Sequence, residues 1–296
     1  MPARVPPAGT LREVWPDGRG HSVHVTTTHD LNAIRQAAER LDRAQQTLTP
    51  CAPVRDLINA DAATAYAVQR AGIARRVEAG ATVVGRKVGL TSLAVQAQLG
   101  VEQPDFGVLL DDMGHPDGAT IPIHGLLQPR VEAEVAFVLG ADLAEGDLDD
   151  AQVRAAVARV LPALEIVDSR IAGWDITFAD TVADNGSSAL YVLGSQARTV
   201  DEVEPLEVEM TMSRNGEVVS SGTGAACLGD PLHALAWLAR TSRDLGEPLR
   251  AGEVVLSGAL GPMVDVAAGD TFEAQISGLG SVSVTFDTTS HDRTPA

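Results

Sequence analysis

The sequence predicts a mixed α/β (α+β) protein of one domain, with a helical segment ahead of a β-rich core. Three observations carry this. Two stretches of helical period lie between Asp30 and Gly80. From Thr82 to Phe286, β-rich segments recur with a few helical runs between them. No internal repeat or low-complexity linker divides the 296 residues, although that length would allow two domains of roughly 150 residues.

Composition narrows the function. Aromatic residues are only 3% of the chain, so Val, Leu and Ala must fill the core. The formal net charge of −18 repels phosphate backbones, which argues against nucleic-acid binding and fits a plain soluble surface. Cys51 and Cys227 have no CxxC spacing, so no disulfide scaffold is expected, and a reducing cytoplasm is the default. No apolar run approaches the ~18–20 residues that span a bilayer, and no charged-then-apolar signal pattern opens the chain.

The elements follow in order. Residues 1–28 carry Pro2, Pro6, Pro7 and Pro16 with no sustained period, and are expected to be a flexible extension ahead of a domain over 29–290. His21 and His24 lie there without further ligands for a metal. Asp30 is a plausible N-cap for a first helix, with Leu31, Ile34, Ala38, Leu41 and Leu48 on one stripe. Asp61 caps a second helix with Tyr66, Ile73 and Val77 on one side, and Gly80 ends it. Thr82–Leu90 is β-rich, Ser92–Leu99 predicts a short helix, and Pro104–Met113 predicts a turn leading into a strand. Val131–Leu139 predicts a strand. A helix is expected from about Asp149 to Val160, interrupted by Pro162 before a strand at Leu164–Val167. Alternation from Leu206 to Met212 and the pair Asn215-Gly216 predict a hairpin. Asp230-Pro231 opens a helix to Gly246. Strands at Glu253–Ser257, Thr271–Ile276 and Val282–Phe286 close the chain.

The sharpest chemical pattern is RVEAEVAFVL, Arg130 to Leu139. Strand alternation puts Val131, Ala133, Val135, Phe137 and Leu139 on one face. Glu132 and Glu134 share the other face with Val138, about 6–7 Å apart along the backbone. Adjacent carboxylates repel, and a divalent cation between them relieves the repulsion; a solvated strand edge is the plain alternative. In LPALEIVDSR, strand periodicity sets Glu165 opposite Leu164 and Ile166. Three carboxylates make a hard-oxygen site suited to Mg²⁺ or Mn²⁺. The absence of HExxH and of a Cys/His cluster disfavours zinc. Lys87, flanked by Val84 and Val88, either snorkels to the surface or serves a functional site. Asp105, in a turn before Phe106-Gly107, is either a local cap or a proton-transfer group. The glycines of SGALGP (Ser257–Pro262) permit backbone N–H groups to approach a substrate carboxylate.

Together these segments resemble the 2-keto-4-pentenoate hydratase family of the fumarylacetoacetate hydrolase superfamily. The matching text is GRKVGLTS, QPDFGVLLDDM, QPRVEAEVAFVL, LPALEIVDSRI, DTVADNGSS, CLGDPLHALAWLA and LSGALGPMV, in order from about Leu48 to Phe286. The resemblance implies helices over 30–80, a mixed β-roll core over 81–287 and a Mg²⁺ or Mn²⁺ site on Glu132, Glu134 and Glu165. It implies an active-site Lys87 with Asp105 as its acidic partner. Ser188, Ser257 and Gly258 are the substrate contacts expected from the matching segments. Homo-oligomers are also implied, often rings of five stacked in pairs. The expected reaction is addition of water to 2-hydroxypenta-2,4-dienoate or a homologue, giving a 4-hydroxy-2-oxo acid, in catabolism of aromatic or similar ring compounds. The related alternative is decarboxylation of 2-oxo-3-hexenedioate, which needs a distal cation that Arg86, Arg130 or Arg170 would supply. A further alternative, an inactive binding or structural homologue, fits poorly with an intact Lys87, Asp105 and glutamate set.

Overall fold

The computed structural model describes residues 28–58, 61–92, 96 and 101–288. Two helices come first: α1 (Thr28–Thr47) and α2 (Ala62–Glu78). The Asp61 side chain accepts from Thr64 N and caps α2 as expected. The larger sheet follows the order β2 (Asp105–Leu110), β1 (Val83–Gly89), β10 (Val254–Ala259), β5 (Arg130–Leu139), β6 (Val157–Val167), β7 (Ser188–Leu193), β3 (Gly114–Pro116), with β11 (Val264–Asp265) also on β5. The smaller sheet runs β4 (Ala119–Ile121), β13 (Gly280–Phe286), β12 (Thr271–Ile276), β8 (Glu209–Arg214), β9 (Glu217–Thr223). It packs on the larger sheet through β12 and β13 against β6. Three further helices are α3 (Asp150–Ala156), α4 (Phe178–Ala183) and α5 (Pro231–Asp244).

The spine is the antiparallel β5–β6 ladder, from Arg130 opposite Val167 to Leu139 opposite Val157. Val131, Ala133, Val135 and Phe137 enter the main core. Ala136 on the other face joins a second apolar cluster with Leu161 and Leu256. Strand β5 is therefore internal, between β10 and β6, and Glu132 and Glu134 do not lie on a solvated edge.

Several expectations are corrected. Helix α1 starts at Thr28, two residues before Asp30. Leu31 and Val77, assigned to packing stripes, are 57% and 44% exposed, so those stripes are shorter than periodicity suggested. The proline at 162 does not interrupt a helix. Helix α3 ends at Ala156, and Val157 onward is already strand, because β-branched residues there pair with Phe137–Leu139 of β5. Pro162 fits inside β6 because its carbonyl accepts from Gly194 N on the β7 side. The register with β7 runs only as far as Ala163–Leu193, and the proline ring fills the space that a side chain at Gly194 would take. Leu206 sits in a 3₁₀ turn and is 38% exposed, and β8 begins only at Glu209. The β8–β9 hairpin turns at Asn215-Gly216 with φ of 54° and 85°, the left-handed pair of a type I′ turn. The expected helix at Ser92–Leu99 falls mostly outside the described residues, and so do residues 1–27 of the extension expected over 1–28, whose last residue, Thr28, is already in α1. Among the described residues, no helix is long and apolar enough to cross a membrane.

Candidate active site

Cross-strand register assembles the acidic cluster. Glu132 on β5 faces Glu165 on β6 as a direct Cα partner. Glu134 follows on the same face of β5, opposite Ala259 of β10. All three are buried, and one oxygen from each lies within 4.8 Å of the others. Glu134 Oε2 accepts from Gly258 N at 2.7 Å, and Glu165 Oε1 accepts from Ser188 Oγ at 3.4 Å. Glu134 Oε1 and Glu165 Oε2 have no hydrogen-bond partner among the described residues. A buried carboxylate oxygen without a donor costs several kcal/mol in general, and a cation removes that cost.

Lys87 joins this cluster from β1. Its Nζ lies 3.3 Å from Glu165 Oε1, and both side chains are buried. Strands β10 and β5 stand between β1 and β6 in the sheet. In a flat sheet three strand spacings would separate them by about 14 Å. The sheet is therefore strongly curled, which brings β2 against β7 and closes the Lys87–Glu165 contact. Asp105, at the start of β2, pairs with Gly89 of β1, and a Cβ on Gly89 would overlap Asp105 Oδ1. That oxygen is also unpartnered.

The charges are mutually dependent. Burial, then the neighbouring Glu165, pushes the Glu132 carboxyl up to about 8. Burial and the same neighbours raise Glu134 well above the usual carboxylate range. Burial pulls the Lys87 ammonium down, but Glu165, Asp105, Glu132 and Glu134 outweigh it, so its pKa is raised and it stays charged. Burial raises Asp105, with Lys87 and a hydrogen bond from Thr181 opposing.

The structure thus brings together Lys87, Asp105, Glu132, Glu134, Glu165, Ser188 and Gly258. Ser257 is fully buried beside them, its hydroxyl on Gly258 O at 3.4 Å. Sequence reasoning missed three groups. Thr181 of α4 reaches Asp105. The Asn185 amide pairs with both backbone groups of Val108. The buried Arg170–Asp184 pair lies beneath Ser188. One available signal went unused: Lys87 is the single lysine in the chain, and all other members of its 22 Lys and Arg are arginine.

Residues 82–287 match the family described as fumarylacetoacetate (FAA) hydrolase C-terminal. A curated relative from Paraburkholderia xenovorans, named 2-keto-4-pentenoate hydratase, is 55% identical over 255 residues, 85% of this chain and 94% of that protein. The chain belongs to the 2-keto-4-pentenoate hydratase family. A second family member of that name, from Burkholderia vietnamiensis, is 52% identical over 258 residues, 87% of this chain and 98% of its own. Among solved structures, 4-oxalocrotonate decarboxylase from Pseudomonas putida G7, complexed with magnesium and adipate, aligns with a TM-score of 0.84 at 37% identity. That alignment covers 89% of this chain and all of the decarboxylase.

Proposed function

We propose that this protein is a divalent-metal-dependent hydratase that converts 2-hydroxypenta-2,4-dienoate, or a close homologue, into a 4-hydroxy-2-oxo acid. The observation that carries it is the buried trio Glu132, Glu134 and Glu165, with two orphaned oxygens and a charged Lys87 at 3.3 Å. The donor set fits Mg²⁺ or Mn²⁺, since all its ligands are hard oxygens. Bound there, such an ion supplies a Lewis acid for a 2-oxo acid's carboxylate and 2-oxygen.

The protein's own groups do the rest. The raised pKa of Lys87 keeps it an ammonium, so it donates a hydrogen bond to the substrate's 2-oxygen and stabilises charge that develops there. The reaction does not require a Schiff base, since a chelating metal would already supply the electron sink that one provides. Asp105, with one free buried oxygen, takes the 2-hydroxyl proton and delivers it to C5, then takes a proton from the water that adds at C4 and returns it to C3. The conjugated ketone left by protonation at C5 makes C4 electrophilic, and one water is consumed with no change of oxidation state. Ser188 and Gly258 serve the substrate through the carboxylates they hold, and Ser257 supports Gly258 from below. The proposal includes a cytoplasmic homo-oligomer, with residues 29–290 as the catalytic domain.

The decarboxylase reading draws support from the solved relative at 37% identity. Its substrate carries a second carboxylate and needs a cation at the distal end. The three arginines available for that are committed elsewhere. Arg86 pairs with Glu253 at 3.0 Å, and Arg130 pairs with Asp265 at 2.8 Å while stacking on Trp174. Arg170 is locked on Asp184. This favours a substrate with one carboxylate. The test gives Mg²⁺-loaded protein each substrate and follows dienoate absorbance and CO₂ release separately. Hydration of the dienoate with little CO₂ from 2-oxo-3-hexenedioate is expected. Rapid CO₂ release with the dienoate untouched would reverse the assignment.

A further inference from the structure

Resting on that reading of Lys87, we propose that Arg170, Asp184 and Gly186 are positioning residues, which hold a left-handed turn against Lys87 and so set it on Glu165. Asn185, Gly186 and Ser187 have φ of 57°, 61° and 54° in succession. Glycine enters this region freely and asparagine readily, but a serine rarely does, so three such residues in succession need something to hold them there.

The clamp is a buried ion pair. Asp184 Oδ2 accepts from Ser169 Oγ at 3.0 Å, from Arg170 N at 3.1 Å and from Ser187 Oγ at 3.2 Å. Asp184 Oδ1 accepts from Arg170 Nε at 2.5 Å. The guanidinium also donates to the carbonyls of Asp168 at 3.0 Å and Ser188 at 2.8 Å, and to that of Asp184. One side chain thus ties the residues before and after the turn to the exit of β6. On the far side, Asn185 Oδ1 accepts from Val108 N at 2.8 Å and Asn185 Nδ2 donates to Val108 O at 2.9 Å, fastening the turn to β2.

Two consequences reach the site. The backbone of Gly186 presses on the Lys87 stem so closely that a Cβ there would sit 2.6 Å from Lys87 Cε. Ser188, which leaves the turn, donates to Glu165 Oε1, the oxygen that Lys87 Nζ meets. The turn therefore meets the site at the Lys87 stem through Gly186, while Ser188 beyond it holds the Glu165 oxygen on which that lysine sits. Among the hydrogen bonds and ion pairs of the described residues, none joins Arg170, Asp184 or Gly186 to the acidic trio.

Because Lys87 is the only lysine, ¹⁵Nζ-lysine labelling gives a single side-chain signal that reports its surroundings without any turnover. In Gly186→Ala we expect that signal to move and kcat to fall about 100-fold, the size of a misplaced acid–base or electrostatic group, with KM within about threefold. In a Lys87→Ala background the same change should cost less than about threefold more, since its effect runs through Lys87. Asp184→Asn, which keeps shape but loses the anion, should act in the same direction by about tenfold and be equally silent without Lys87. A stationary lysine signal, unchanged kcat, or losses that multiply with that of Lys87→Ala would overturn the proposal. Should Gly186→Ala not melt cooperatively, Asp184→Asn decides by the same criteria; if neither folds, the turn is structural only and the proposal fails. If wild type does not turn over the dienoate yet the lysine signal moves, the functional reading fails and the positioning stands.

Discussion

Cation binding by this protein is expected to expel protons, and its affinity is expected to fall steeply as pH drops. Four carboxylates, Asp105, Glu132, Glu134 and Glu165, are buried around one ammonium. A dry interior does not tolerate that excess of negative charge, so the cation-free site keeps protons. Glu132 is pushed to about 8 and Glu134 is raised as well. A cation binds the deprotonated carboxylates, so lowering pH opposes it. For Glu132 alone, apparent affinity weakens about tenfold per pH unit below 8, roughly 50-fold from pH 8 to pH 6, with about 0.9 proton released at pH 7. Protons from Glu134 steepen the slope. Titration calorimetry with Mg²⁺ or Mn²⁺ in two buffers of different protonation enthalpy measures both quantities. Equal affinity at pH 6 and pH 8, with heats that do not depend on buffer, would refute the protonated acidic cluster.

The same shift acts on stability. A carboxyl raised in the folded state stabilises fully below its unfolded value and loses that stabilisation as pH rises through its folded one. Cation-free protein should therefore lose melting temperature between about pH 4.5 and pH 8, and saturating Mg²⁺ should restore it most at the upper end; a melting temperature flat over that window would count against it. Lys87→Ala should lower kcat about 10²–10⁴-fold while the number of cations bound stays at the wild-type value, as steady-state kinetics and calorimetry would read. Unchanged kinetics would return Lys87 to a structural role. Removing residues 1–27 should leave melting temperature, activity and the assembly measured by light scattering close to those of the full chain, since that proline-rich text has no period to pack.

What could be read from the sequence depended on whether a signal was local. Glu132, Glu134 and Glu165 stood out because one strand's alternation fixes which residues share a face, and Asp61, Asn215-Gly216 and Asp230-Pro231 because caps and turns act over a few residues. Pro162 misled because local rules treat proline as an interruption, whereas at the end of the β7 ladder its carbonyl keeps a bond from Gly194 N and the glycine leaves room for its ring. The Arg170–Asp184 clamp was illegible for the opposite reason. Arg170 was legible only as one of three arginines that a distal carboxylate could use, since the text does not show where its side chain points. Its partner lies 14 residues on, and only the folded turn brings the two together. The assignment of substrate turns on this point. An arginine counted as free supports a diacid, and an arginine spent on Asp184 supports a substrate with one carboxylate. The choice between hydration and decarboxylation therefore rests less on the shared acidic trio, which serves either reaction, than on where three arginines spend their hydrogen bonds.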